Sequence, residues 1–395
     1  MKIFNIYTAI SISLCFAAAA SAQEGIRPFL ETIERNNSSL KALRLQVEAV
    51  QKENYTDISM PDPDIEFGYS WGDRRAEGDK YEINVKQSFD FPTAYTYKKK
   101  IAGFLNKEND FEYERRRREI LLEARLLYVE AAYRSESKKI LEDRAEKAGR
   151  LFKAYEKRLE HGDADIIEYN KTKLDKINTE KKYQLNEVEL DNIMKEIQRL
   201  NGEALYEISE FSYSAYILPD NFEEWFNNVK FKNPDLLLTA QQIETSNVQT
   251  MLMQALNLPK FTAGYHNGFE AGARFNGFIV GMTVPLWENK NKVKASKAKS
   301  VALQTQYEDK ALQFYNSLQS QYEKALKLKA LIVEYEGLLN YSNDYDLLKK
   351  ALDQGQMSAI TFIQELGVYY ETVDLLMETR RDLGFASARL EQWED

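Results

Sequence analysis

The feature that most constrains this chain is a duplication in which each copy sets a pair of alternating segments inside long helix-forming stretches. Asn37-Ser38-Ser39-Leu40 returns as Asn233-Pro234-Asp235-Leu236, and Pro63 followed by Gly68-Tyr69 returns at the same offset as Pro259 followed by Gly264-Tyr265. Further on, His161-Gly162-Asp163-Ala164-Asp165 is echoed, after a short indel, by Gln354-Gly355-Gln356-Met357-Ser358. The repeated unit is a helix, two strands, a long helix, a turn and a helix. The first copy spans residues 23–202 and the second 233–395, joined by a segment at 203–232.

The alternating segments read as strands over 64–72, 81–91, 260–272 and 275–287. In the first, Ile65, Phe67, Tyr69 and Trp71 fall on one face, with Glu66, Gly68, Ser70 and Gly72 on the other. The return strand opposes Tyr81, Ile83, Val85, Phe89 and Phe91 to Glu82, Asn84, Lys86, Ser88 and Asp90, and a polar loop, Asp73 to Lys80, joins the two. Phe278, Val280, Met282 and Val284 repeat the apolar face in the second copy. About ten alternating residues are the length of a tilted strand that crosses a bilayer. The predicted lipid-facing set is therefore Ile65, Phe67, Tyr69, Trp71, Ile83, Val85, Phe89, Phe278, Val280, Met282 and Val284. Glycines and charges on the opposite face suit a wet interior, and Trp71, Phe91 and Trp287 suit interfacial girdles. An open four-stranded sheet leaves edge N–H and C=O groups without partners in lipid. One chain cannot close a barrel of eight or more strands, so two or three copies must assemble.

The prolines leave 93–218 and everything after 285 clear. Helical spacing runs from about Gly25 to Tyr55, and a helix is expected from about Thr93 to Glu160, roughly 100 Å at the α-helical rise. His161-Gly162 ends it. Asp165 with Glu168 three residues later reads as a capping box for the next helix, which continues to about Leu200 and closes at Asn201-Gly202. The joining segment is rich in aromatics and shows no helical spacing. In the second copy a helix is expected from about Asn289 to Leu352, with a seam of Leu303, Tyr307, Ala311, Phe314, Leu318, Tyr322 and Ala325 at coiled-coil intervals. Gly355 breaks it, Ser358 caps, and a last helix runs to about Trp393.

Lys2, the apolar run Ile3 to Ala20 and Ala20-Ser21-Ala22 form an expected export signal over 1–22, and Cys15, the only cysteine, lies inside it. The net charge of −9 argues against a nucleic-acid partner. No nucleophile elbow, phosphate loop or zinc signature is present, so neither an enzyme, a cofactor nor a metal site is expected. His161 falls on a turn and His266 in a strand, away from metal-ligand spacing. Met251 and Met253 lie two apart on a helix, which suits core packing better than a copper site. The run Arg115 to Arg118 reads as solvated helix surface.

The order of elements, Asn233-Pro234-Asp235-Leu236, the Pro259/Gly264-Tyr265 strand, and Val280-Gly281-Met282-Thr283-Val284-Pro285-Leu286 entering a long charged helix resemble the TolC family of outer-membrane efflux channels across the whole mature chain. The resemblance implies a mainly α fold with a transmembrane β-barrel portion, four strands per chain plus coiled-coil tunnel helices, closed as a homotrimer. It implies a channel in the outer membrane that extends into the periplasm, contacts outer-membrane lipid, and joins an inner-membrane pump through a periplasmic adaptor. Such a duct passes small molecules, metal ions or polypeptides in tripartite efflux or type I secretion. Helix-turn-helix tips form its gate and adaptor contact, and the matching residues are Gly162, Asp165, Glu168, Gly355, Ser358, Thr361, Gln364 and Glu365. Some members carry aspartates just after the second turn. Thr361 and Gln364 stand there, beside Glu365, so a polar constriction is expected rather than a strongly acidic one. An alternative is a soluble periplasmic coiled-coil scaffold or adaptor, which would have to bury the apolar strand face in its own sheet.

Overall fold

The computed structural model describes residues 26–72, 78–206, 211, 218–270, 272–341 and 344–394. The expected export signal, residues 73–77 of the hairpin loop and most of 207–217 lie outside them. The elements in chain order are α1 (26–36), α2 (Ser38–Glu53), β1 (Asp64–Trp71), β2 (Asp79–Phe89), α3 (Pro92–Glu160), α4 (Ile166–Leu200), α5 (Phe222–Val229), α6 (Pro234–Ala255), β3 (Lys260–Glu270), β4 (Ala273–Thr283), α7 (Lys292–Tyr341), α8 (Asp344–Asp353) and α9 (Ala359–Glu391). Among the described residues no helix is long and apolar enough to cross a membrane.

Four boundaries differ from the sequence reading, each for a local reason. The first helix is split at Asn37, whose side chain leaves the helical ladder to accept from Leu40 N (2.9 Å) and donate to Leu200 O (2.9 Å). Its repeat-mate Asn233 caps α6 by accepting from Asp235 N (2.8 Å), so the repeated asparagine is an N-cap in both copies. The return strands end earlier than expected. Lys260 opposite Thr283 is the last pair of β3 with β4, because Pro259 and Pro285 on either side offer no N–H to the ladder. Val284 and Trp287 thus fall outside β4, and Phe91 falls outside β2. Two helices, α7 and α8, cover the stretch expected as one, with 342–343 outside the described residues.

The fourth difference is α5, a helix within the aromatic joining segment. Asn221 caps it by accepting from Glu224 N (3.1 Å), acidic Glu223 and Glu224 sit in its first turn, and Phe222, Trp225 and Val229 are buried. Phe222, Trp225, Phe226 and Val229 fall at i, i+3, i+4 and i+7, a one-face spacing that sequence reading overlooked.

The chain forms two compact units, each drawing on both copies of the repeat: Met1–Lys41 with Arg116–Lys230 and Phe314–Asp395, and Ala42–Arg115 with Phe231–Gln313. In the first, Phe29 and Ile33 of α1 are fully buried against Ala124 and Tyr128 of α3 and Ile193, Ile197 and Leu200 of α4, each large side chain contributing about 2 kcal/mol. The arginine run is not simply solvated surface. Arg117 grips Glu34 through two bonds of 2.6 and 2.7 Å, and Arg118 donates to Gln392 O (2.6 Å) while lying 5.4 Å from the Trp393 ring. Trp393 packs edge-on to Phe314, and Trp225 Nε1 donates to Glu394 (2.8 Å). The long arginine side chains have the reach to fasten α1 and the C-terminal turn to α3.

In the second unit the sheet runs β1-β2-β3-β4, every neighbour antiparallel, with one edge each of β1 and β4 unpaired among the described residues. Beneath it α2 meets α3 through Asn54–Asn106 and Gln51–Asp110, both 2.8 Å. Hydroxyls join α6 to α7, with Thr250 to Ser296 at 2.7 Å and Ser300 to Ser246 at 2.8 Å. Thr245 of α6 donates to Glu108 of α3, and burial raises the Glu108 carboxyl above the ordinary range.

Candidate functional site

The two helix turns that carry the predicted gate residues are built alike. After α3, Asp163 N reaches Arg158 O (2.8 Å) and Gly162 N reaches Leu159 O (3.1 Å); after α8, Gln356 N reaches Ala351 O (2.9 Å) and Gly355 N reaches Leu352 O (3.0 Å). Both are Schellman closures, and they place Gly162 at φ +78 and Gly355 at φ +71, where a side chain is disfavoured.

The caps that follow differ. Asp165 accepts from Ile167 N (2.7 Å) and Glu168 N (2.8 Å), but the expected capping box is only half made. Glu168 turns away from Asp165 N and accepts instead from Ala359 N (3.3 Å), at the start of α9. A carboxylate from one copy thereby sits on the N-terminus of a helix in the other, where the helix dipole favours it. Ser358 accepts from Thr361 N (3.2 Å), and its hydroxyl meets that of Thr361 at 3.0 Å. Gly162, Asp165, Gly355, Ser358 and Thr361 line exposed turn surface; Gln364 and Glu365 are exposed on α9 and are not drawn into this network.

Behind the turns lies a small core of Leu352, Phe362 and Leu366, flanked by Leu151, Tyr345, Met357 and Tyr370, and a cavity of about 600 Å³. Arg144 is buried beside it, donating to Asp374 (2.7 Å) and to Tyr370 O (3.3 Å) with its guanidinium 4.2 Å from the Tyr370 ring. Burial pushes the Tyr370 phenol up, and its hydroxyl has no hydrogen-bond partner among the described residues. Asp175 also lines the cavity, and burial raises its carboxyl despite Lys182 and Lys171 nearby. Sequence reading missed Arg144, Tyr370 and Asp175. Their partners lie up to 230 residues away, so no local spacing announces them.

The sheet is the second candidate site. Register puts Ile65 opposite Val85, Phe67 opposite Ile83, Val85 opposite Tyr265, Tyr265 opposite Phe278, and Ala263 opposite Val280. Opposed residues share a face, so Ile65, Phe67, Tyr69, Trp71, Ile83, Val85, Phe89, Phe278, Val280 and Met282 all lie on one side. Phe278 and Val280 are nearly nine-tenths exposed. Val284 is exposed but lies beyond the ladder. The other side carries Lys86–Glu66 (2.5 Å), Lys80–Glu270 (3.4 Å), Ser88 against Thr262 (3.1 Å) and His266 Nδ1 against Asn84 (2.7 Å). His161 is exposed on its turn with its ring Nδ1 against Lys157 O, and no acid, histidine or cysteine cluster that could hold a metal occurs among the described residues. Met251 is 46% exposed, contrary to the core packing expected of it.

No protein-family model matches this sequence, and no curated protein sequence matches it. Solved structures do. CusC, described through conformational changes accompanying folding and transmembrane channel formation, superposes with a TM-score of 0.79 at 13% identity over 94% of this chain and 92% of its own. The outer-membrane channel OprN superposes at 0.78 and 13% identity over 94% and 89%. The outer membrane protein VceC of Vibrio cholerae does so at 0.71 and 14% identity over 93% and 94%. At such identities the likeness is one of backbone plan, with a small antiparallel sheet carried on long helices. The chain has the TolC-like fold of these outer-membrane channels.

Proposed function

We propose that this chain is the outer-membrane exit duct of a tripartite efflux or type I secretion system, a passive channel that extends into the periplasm. The observation that carries the reading is the sheet: four strands present a largely apolar exposed face, interrupted by the Asn267–Asn276 pair, a polar ion-paired face, and two edges unpaired among the described residues. In water the apolar face is a liability, and in lipid the edges are. Closure with further copies removes both, and the TolC-like plan does so as a homotrimer of twelve strands. The outer-membrane location of OprN and the channel formation described for CusC support the same reading. Cargo would be small molecules, metal ions or polypeptides, handed on by an inner-membrane pump and a periplasmic adaptor. Gating falls to the paired turns around Gly162 and Gly355, whose exposed tips, with Ile166 and Ile167 among their residues, are the surface offered to the adaptor.

Membrane fractionation followed by planar-bilayer recording tests this. The expected result is a protein extracted only by detergent, as a heat-resistant oligomer that conducts ions. A mature chain recovered as a freely soluble monomer without conductance would overturn the reading and favour a periplasmic scaffold.

A further inference from the structure

Lysines gather where both hairpins leave the sheet. Residues 91–107 hold Lys98, Lys99, Lys100 and Lys107 and no acid, and residues 289–300 hold Lys290, Lys292, Lys294, Lys297 and Lys299 and no acid, in a chain of net charge −9. Phe89 pairs with Phe261, and Lys260 pairs with Thr283, so β2 and β4 end at the same end of the sheet. Helices α3 and α7 begin there, within one compact unit.

Few of these cations are neutralised within the chain. Lys98 donates to Asp90 (3.1 Å), and Lys292 to the Asn289 side chain (2.9 Å). Among the described residues no ion pair takes up Lys99, Lys100, Lys290, Lys294 or Lys297, and all five are exposed. Lys100 lies 5.4 Å from the Phe104 ring. Leu286 and Trp287 are exposed just before α7, Trp287 by 79%. The acids at this end, Asp90 and Glu288, are already met by Lys98 and Lys260, both at 3.1 Å, so the five remaining like charges favour an anionic partner. An exposed indole among lysines fits the headgroup layer of a bilayer, where the ring sits at the boundary and lysine stems reach up to phosphate.

We infer that the start of α3 and the start of α7 form a basic collar that binds the headgroups of the leaflet from which the hairpins emerge, preferring net-anionic phospholipid. The inference rests on the membrane reading of the sheet. The contact is one-sided. The approach to β1 carries Asp62 and Asp64 instead, so the lipid preference belongs to the exit helices. Each lysine close to an anionic surface contributes roughly fivefold in partitioning, and screening by salt weakens it.

The test uses the full mature oligomer in phosphatidylethanolamine vesicles doped with spin-labelled phosphatidylglycerol or spin-labelled phosphatidylcholine. Its companion carries Lys99→Gln, Lys100→Gln, Lys290→Gln, Lys294→Gln and Lys297→Gln. The immobilised lipid around the unmodified protein is expected to be enriched several-fold in phosphatidylglycerol, with enrichment lost in the glutamine variant and in high salt. A matched set of Lys→Arg changes is expected to keep it, which separates charge from damage to folding. Equal selectivity in the unmodified and glutamine proteins would overturn the collar. So would a change in ion selectivity of the channel with lipid selectivity unaltered, since that places the lysines in the lumen. Flotation with purely zwitterionic vesicles reads the underlying membrane assignment separately: failure to float sinks that assignment, whereas flotation without lipid selectivity sinks only the collar.

Discussion

Single residues in this chain matter most where backbone conformation or burial leaves no substitute. Gly162 and Gly355 occupy the left-handed region with open space around the missing Cβ. Alanine there should cost only the conformational term, about 1 kcal/mol each. Gly202 has the same sign of φ, but an added Cβ would lie 2.5 Å from Asn36 O, so Gly202→Ala should cost clearly more. Denaturant unfolding of the three detergent-solubilised variants measures the order, and a Gly202→Ala protein no less stable than the other two would contradict it. Asp175 behaves differently because its carboxyl is raised by burial. A carboxyl with a raised folded-state pKa is least unfavourable to folding below the unfolded value near 3.8, and stability falls as pH climbs through the folded value. Asp175→Asn should therefore raise the melting temperature at neutral pH and lose that advantage as pH drops below about 4. Thermal scans across that range show whether the two curves converge.

At the scale of elements, the sheet and the helix turns differ in what holds them. The two hairpins meet along β2 and β3, and there Gly264 brings backbones so close that a Cβ would lie 2.6 Å from Val85 O and 3.3 Å from Lys86 Cα. Backbone cannot swing aside as a side chain can. Gly264→Ala should split the seam between the hairpins and abolish the heat-resistant oligomer that the proposed function expects on a denaturing gel. Gly281→Ala on β4, where the nearest atom is Thr262 Cβ at an ordinary 3.5 Å, should leave the band intact, and equal behaviour of the two would remove the argument. The strands were legible in the sequence because an alternation of period two survives burial on either face, and the turns because glycine after a long helix has few other uses. Helix α5 was equally legible in its spacing but was masked by the aromatic crowding around it. What could not be read was any pairing between the copies: Arg144 with Asp374, or Arg118 with Gln392, depends on which helices pack together, which the repeat does not encode.

Across the whole molecule, duplication supplies two similar halves, and among the polar contacts that tie them one lies at the helix turns. Glu168 belongs to the first copy and Ala359 to the second, yet the carboxylate accepts from that backbone N–H at 3.3 Å beside the core of Phe362 and Leu366. The second copy places Thr361 at the equivalent position, and its hydroxyl is engaged by its own cap, Ser358. The tie therefore runs one way, from α4 to the start of α9. If the gate opens by parting these turns, the bond must break in the open state, and a charge-assisted hydrogen bond of this kind holds about 1.5 kcal/mol. Removing it would shift a closed-to-open equilibrium roughly tenfold. Glu168→Ala should raise the open probability of single channels in a planar bilayer by about that factor, without altering the conductance of the open state. Glu168→Gln keeps an acceptor oxygen but loses the charge at the helix N-terminus, so it should fall between the two. An alanine variant that gates like the unmodified protein would show that the turns move as one body and that the gate of the proposed channel lies elsewhere.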